Sequence, residues 1–258
     1  MSNHFLRVAH RGGSNLAPEN TLAAFRNALT LPIDAIELDV HLSRDGHTII
    51  IHDFIVDRLT DGHGNILDLD FAYLRSLNAA AHYPGGWPEP QQIPTLREVL
   101  DLAKGRVQVH IEIKPSKRDM RYKTYGRYPY IVETIMEEVR NAGMLDQALF
   151  ISFDWVMLLL VKSIEPTVST GAIVSKALWN ATNENAFDIL ISQATALGCD
   201  WINMRHDLFT PNMPTAAHQH GLKFGVWVVN TAGELHRLAA TGVDSLTSAR
   251  PDLFTHFT

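Results

Sequence analysis

The stretch Ala35-Ile36-Glu37-Leu38-Asp39-Val40-His41-Leu42 decides how this chain is read. Alternation of period two puts Glu37, Asp39 and His41 on one face of a strand and Leu38 and Val40 on the other. A turn at Arg44-Asp45-Gly46 leads into the apolar run Thr48-Ile49-Ile50-Ile51, so a short hairpin strand, His47–His52, is expected to follow. Further on, Val107–Lys114 has the same construction. Glu112 and Lys114 share one face, and Ile111 and Ile113 share the other.

Outward from these strands the chain alternates. Strands are predicted at Phe5–Ala9, Ala148–Phe153, Thr167–Val174, Asp200–Met204, Phe224–Val229 and Ser245–Thr247. Helices are predicted at Asn20–Leu29, Leu96–Ala103, Ile131–Asn141, Trp155–Ser163, Asn185–Leu197, Met213–His220 and Ala232–Ala240. In the first helix Leu22, Phe25 and Leu29 fall on one face at helical spacing. Strand–helix alternation implies parallel strands joined by helical crossovers. Eight such strands in 258 residues point to a closed (β/α)8 barrel, an α/β fold of the TIM type. The chain, 1–258, is expected to be a single barrel domain. The Gly- and Pro-rich stretch at about 57–94 reads as a small irregular insertion after the hairpin.

Composition narrows the function. Acids outnumber bases by 28 to 22, a net charge of −6, which disfavours a nonspecific nucleic-acid binder. The single cysteine, Cys199, rules out an intramolecular disulfide and a cysteine-ligated zinc cluster. No apolar run reaches the length of a membrane span, and the first residues show no signal-peptide pattern, so a cytoplasmic protein is expected. No Gly-rich phosphate loop is present, which weakens a nucleotide-binding open sheet.

In such a barrel the active site lies at the C-terminal ends of the strands. The predicted strand ends present His10-Arg11-Gly12-Gly13, the carboxylates Glu37 and Asp39, His52-Asp53, and Glu112 with Lys114. Two carboxylates side by side on one face repel. A fold tolerates them when a cation sits between them, when one is protonated, or when both face water. Oxygen-only ligands select a hard cation, Mg²⁺ or Ca²⁺. Three carboxylates, a dication and the two bases Arg11 and Lys114 leave one net positive charge, matched to a phosphodiester. Two imidazoles can supply a base and an acid in one step.

The motifs His10-Arg11-Gly12, Pro18-Glu19-Asn20-Thr21, Glu37-Leu38-Asp39, His52-Asp53 with Arg58 and Thr60, Glu112-Ile113-Lys114, Ser152-Phe153, Trp227-Val228-Val229-Asn230 and Arg250-Pro251-Asp252 run along nearly the whole chain. In order and spacing the sequence resembles the glycerophosphodiester phosphodiesterases of the short bacterial type. The resemblance implies metal-dependent hydrolysis of glycerophosphodiesters to glycerol 3-phosphate and an alcohol. It implies Glu37, Asp39 and Glu112 as ligands of one divalent cation, His10 and His52 as the acid–base pair, Arg11 and Lys114 on the phosphate, and Glu19 orienting Arg11. Two positions depart from the family pattern: Ser248 stands where a carboxylate is usual, and Leu59 where a second Thr is common.

Trp227 ends a strand and is a candidate substrate contact. Trp87, in the insertion, is a candidate cation–π partner for a choline head group. The basic run Lys117, Arg118, Arg121, Lys123 and Arg127 is a candidate for steering anions. Competing readings fit less well. A glycosidase places its carboxylates on separate strand ends across the sugar. A sphingomyelinase-D-like enzyme is expected to be secreted and disulfide-bearing. A binding barrel without activity would be expected to lack one of the histidines or carboxylates.

Overall fold

The computed structural model describes residues 5–115, 128–179, 183 and 185–257. The basic run 117–127 lies outside them. Among the described residues nine strands are formed: β1 (Leu6–Ala9), β2 (Ala35–Leu42), β3 (Thr48–Ile50), β4 (Gln108–Ile113), β5 (Ala148–Ser152), β6 (Ser169–Val174), β7 (Trp201–Arg205), β8 (Lys223–Trp227) and β9 (Ser245–Ser248). Eight of them are parallel and close into a barrel, because β1 pairs with β9 on one side and β2 on the other. The hairpin strand β3 stands outside the ring, antiparallel to the end of β2, with His41 opposite Ile49.

Register fixes what enters the lumen. Glu37 lies opposite His110 and Asp39 opposite Glu112 on the β2–β4 pair. Their alternates Ile36, Leu38, Val40, Val109, Ile111 and Ile113 face outward, where they join Phe25, Val99, Val132 and Phe150 in one buried cluster under the helices. A second cluster, with Ile202, Met204, Phe224, Val226 and Leu246, does the same for the later strands. Within the barrel, Leu149, Ile151, Ile173 and Trp201 pack together, with Leu6, Phe153 and Trp227 against them. The apolar faces that the sequence assigns to helices are therefore buried by helices, and the polar faces by one another.

The helices are α1 (Leu22–Ala28), α2 (Phe71–Ser76), α3 (Leu96–Ala103), α4 (Tyr128–Ala142), α5 (Trp155–Ile164), α6 (Ala186–Ala196), α7 (Met213–Gln219) and α8 (Ala232–Ala239). Helix α1 begins two residues later than its periodicity suggests. Thr21 is its N-cap, accepting from the Ala24 N–H at 3.2 Å, and Asn20 before it is left-handed with φ 58°. Helix α4 begins three residues earlier than predicted, with Pro129 in its first turn, where a missing N–H is harmless. The stretch 57–94 is less irregular than its composition suggests. It contains α2, whose Leu74 packs with Ile49, Ile51, Val56, Ile66, Leu77 and Ile93. Six residues are too few for helical periodicity to stand out among flanking turns. Leu59 packs against this same cluster.

Candidate active site

The chain leaves β1 through a tight turn in which Arg11, Gly12 and Gly13 all have positive φ. Gly12 is required there, since a Cβ would come within 2.9 Å of Ala24. For Arg11 the left-handed conformation is costly, and it is held by the Arg11 N–H donating to Glu37 Oε2 at 2.9 Å. The turn delivers two side chains to the mouth of the barrel. His10 Nε2 lies 3.9 Å from Glu37 Oε2, and the Arg11 guanidinium reaches Glu19 Oε1 at 3.0 Å and Asp39 Oδ2 at 3.2 Å.

Asp39 is fully buried and enclosed by donors. Asn20 Nδ2 donates to its Oδ2 at 2.8 Å, and Lys114 Nζ stands 3.4 Å from its Oδ1. Lys114 also reaches Glu112 Oε1 at 3.1 Å. Burial alone would raise the Asp39 pKa, but the Lys114 and Arg11 charges overcome it and hold the carboxyl below the usual range. Its neighbours respond oppositely. Burial, then the Asp39 charge, pushes Glu112 up to about 7, and the same two causes raise Glu37 well above its ordinary value. Of the three ways to tolerate adjacent carboxylates, the fold sets cations beside them and excludes exposure to water.

Glu37, Asp39 and Glu112 each offer an oxygen, and the three atoms lie within 4.8 Å of one another. Asp39 Oδ1 is buried without a hydrogen-bond partner. A buried, oxygen-only donor set with an unsatisfied anionic oxygen fits a hard divalent cation.

The two histidines are placed differently. His52 Nδ1 is 2.5 Å from Asp53 Oδ1, and Asp53 is in turn paired with Arg58. Arg58 reaches Glu19 Oε1 at 2.8 Å, so Glu19 joins Arg58 to Arg11 across the mouth. The His52 carbonyl is held by His41 Nε2 at 3.0 Å, with the His41 ring edge-on to Phe54. Among the described residues no carboxylate is hydrogen-bonded to His10, and its buried Nδ1 has no partner. Burial, reinforced by the Arg11 charge, lowers His10 to about 3, so its ring is neutral at pH 7.

Part of this cluster lines one cleft of about 530 Å³, and Lys114 borders a second cavity that shares Glu112 and Phe153 with it. His10, Arg11, Glu37, His52 and Glu112 form the polar wall of the first, and Ile151, Phe153, Ile173 and Trp227 its apolar one. Trp227 donates its indole N–H to the Asn203 carbonyl at 2.9 Å and packs edge-on against Phe153. Sequence reasoning did not single out His110, Asn203 and Phe153 as cleft residues, although inward alternation on β4 and β7 marks the first two. Trp87 is not among the lining residues and packs against Tyr83 instead. Ser248 is buried, accepting from the Arg250 N–H at 3.0 Å, so it closes a turn.

Comparison with known proteins agrees with this geometry. The family model described as the glycerophosphoryl diester phosphodiesterase family matches residues 10–253. A glycerophosphodiester phosphodiesterase from Caldanaerobacter subterraneus subsp. tengcongensis is 31% identical over 251 residues, 96% of this chain and 95% of that protein. Among solved structures, an Oleispira antarctica phosphodiesterase in complex with the product sn-glycerol-3-phosphate superposes with a TM-score of 0.83 at 27% identity. The match covers 96% of this chain and 94% of that one. A Silicibacter pomeroyi structure superposes with a TM-score of 0.87 at 23% identity, covering 98% and 92% of the two chains, which speaks to the fold.

Proposed function

The chain belongs to the glycerophosphoryl diester phosphodiesterase family, and on that premise we propose that it hydrolyses glycerophosphodiesters to glycerol 3-phosphate and an alcohol, with a divalent cation held by Glu37, Asp39 and Glu112. The observation that carries this reading is the buried carboxylate triad, paired with Arg11 and Lys114, beside a cleft that His10 and His52 line. When bound, Mg²⁺ or Ca²⁺ would supply a Lewis acid that lowers a hydroxyl pKa and neutralises charge developing on the phosphoryl oxygens. Arg11 and Lys114, beside Asp39, hold the phosphate from the same side.

The glycerol 2-hydroxyl attacks phosphorus, the bond to the leaving alcohol breaks, and water opens the resulting cyclic phosphate. His10, on the cleft wall with no hydrogen-bond partner for Nδ1 among the described residues, takes the proton from the 2-hydroxyl. His52, backed by Asp53, suits the role of holding a proton and giving it to the leaving alcohol. The roles reverse when water attacks. Trp227 and Phe153 shield this chemistry from solvent on the apolar side. A cytoplasmic location is part of the proposal; no described helix is long and apolar enough to cross a membrane.

The test is a coupled assay for glycerol 3-phosphate release from glycerophosphocholine, with EDTA and then Mg²⁺ or Ca²⁺ added back. Release abolished by EDTA and restored by one ion is expected. No release with any ion, from this substrate or from glycerophosphoethanolamine, refutes the reading.

A further inference from the structure

His52 is carried beyond the end of its strand. β3 ends at Ile50, and the Ile51 N–H donates to the Asp39 carbonyl at 3.1 Å. The chain is tied down again at Phe54, whose carbonyl accepts from the Ile66 N–H at 2.9 Å. His52 and Asp53 stand between these two bonds. The His52 side chain is 30% exposed, so packing around the ring does not fix it. An imidazole that must meet a substrate oxygen within hydrogen-bond reach needs a fixed backbone beneath it.

His41 supplies that support. It lies on the same face of β2 as Glu37 and Asp39, opposite Ile49 of β3, and is 1% exposed. Its Nε2 stands 3.0 Å from the His52 carbonyl oxygen. A carbonyl only accepts, so Nε2 carries the hydrogen in this contact. The same ring meets Phe54 edge-on, with centroids 4.5 Å apart and planes at 76°. One residue of a barrel strand thus grips the chain at 52 and at 54. Asp53 lies between them, and its carboxylate meets His52 Nδ1 at 2.5 Å. His41 lines neither the cleft nor the adjoining cavity, so it acts on the reaction through His52. An apolar residue at 41 would take this donor from the His52 carbonyl and free that peptide to rotate.

Resting on the proposed reaction, we propose that His41 is a positioning residue for His52: its N–H holds the His52 carbonyl so that the imidazole is aimed at the leaving alcohol. Displacement of a reacting group by about 1 Å costs about 100-fold in rate, which sets the scale of the effect.

The experiment uses His41→Leu, which removes the donor, and His41→Gln, whose amide can still donate to a carbonyl. Both are checked for folding by circular dichroism. On glycerophosphocholine with the activating ion, His41→Leu is expected to lower kcat roughly 10- to 100-fold. KM should stay within about threefold, since His41 touches no substrate. His41→Gln should return kcat to within about fivefold of wild type. On the p-nitrophenyl diester of glycerol phosphate, whose leaving group needs no proton, His41→Leu should recover most of its rate. In a His52→Ala background, His41→Leu should cost less than about threefold more, because the group it serves is gone. If His41→Leu does not fold, His41→Phe, which keeps a ring against Phe54 and lacks the donor, is read in the same way. A loss equal on the two substrates, or undiminished in the His52→Ala background, overturns the proposal. So does wild-type kcat in a folded variant without the donor. No glycerol 3-phosphate from the wild-type enzyme with any divalent ion instead refutes the proposed function itself.

Discussion

The raised pKa of Glu112 makes cation binding a proton-release reaction, and its size follows from the site. Burial and the neighbouring Asp39 charge move Glu112 from an ordinary 4.5 to about 7. About half of the ion-free protein therefore carries a proton there at pH 7, and a cation that needs the carboxylate must displace it. Below pH 7 the apparent affinity should fall about tenfold per pH unit, about 1.4 kcal/mol each, for this one proton. Glu37, raised by the same causes, steepens the fall towards two protons. The sign for stability is opposite. A carboxyl whose folded pKa is raised stabilises the ion-free fold below 4.5, and that contribution is lost as pH rises through 7; bound cation reverses the loss. Calorimetric titration of Mg²⁺ or Ca²⁺ at pH 5.5 to 8.5, in paired buffers of different ionisation enthalpy, reads both affinity and protons released. Glu112→Gln should weaken binding and remove one proton from the count. Affinity flat across that range, with heats independent of the buffer, would refute the reasoning.

Other expectations follow from the same geometry. His10→Ala and His52→Ala should each lower kcat by roughly 10²- to 10⁴-fold on glycerophosphocholine. On the p-nitrophenyl diester of glycerol phosphate, whose leaving group needs no proton, His52→Ala should recover most of its rate while His10→Ala does not; equal recovery would reverse the assignment. Cys199, buried and pushed up to about 11 by burial, should resist iodoacetamide at pH 8 until the protein is unfolded; fast labelling of the native protein would contradict this. Phe150→Ala, removing a fully buried ring between β5 and the helices, should cost about 3–5 kcal/mol in urea unfolding. A loss under about 1 kcal/mol would show that the barrel wall collapses around the gap.

The expectation of a metal site rests on two carboxylates at alternate positions of one strand and a third at the end of another, and the fold brings those three together. What alternation left open was how Glu37 and Asp39 coexist. Arg11 settles it from a turn 28 residues before Asp39, and Lys114, just past the end of β4, from 75 residues after it. Glu19 was placed beside Arg11 by resemblance, and it also ties Arg58, from the stretch after the hairpin, to the first turn. Trp87 was a candidate for ligand contact because of its chemistry alone, and it packs on Tyr83 away from the cleft.

By itself the sequence determined the alternation of strands and helices, the face on which each strand carries its charges, and the identity of the carboxylates, histidines and bases at the strand ends. Those are local properties, set by a side-chain period of two in strands and 3.6 in helices. Tertiary structure alone decided which carboxyl pKa is lowered and which are raised, which histidine has a carboxylate partner, and that one amide on β7 fits between two glycines. These depend on barrel register and burial, which set the distances between groups remote in sequence and remove the water that would screen their charges.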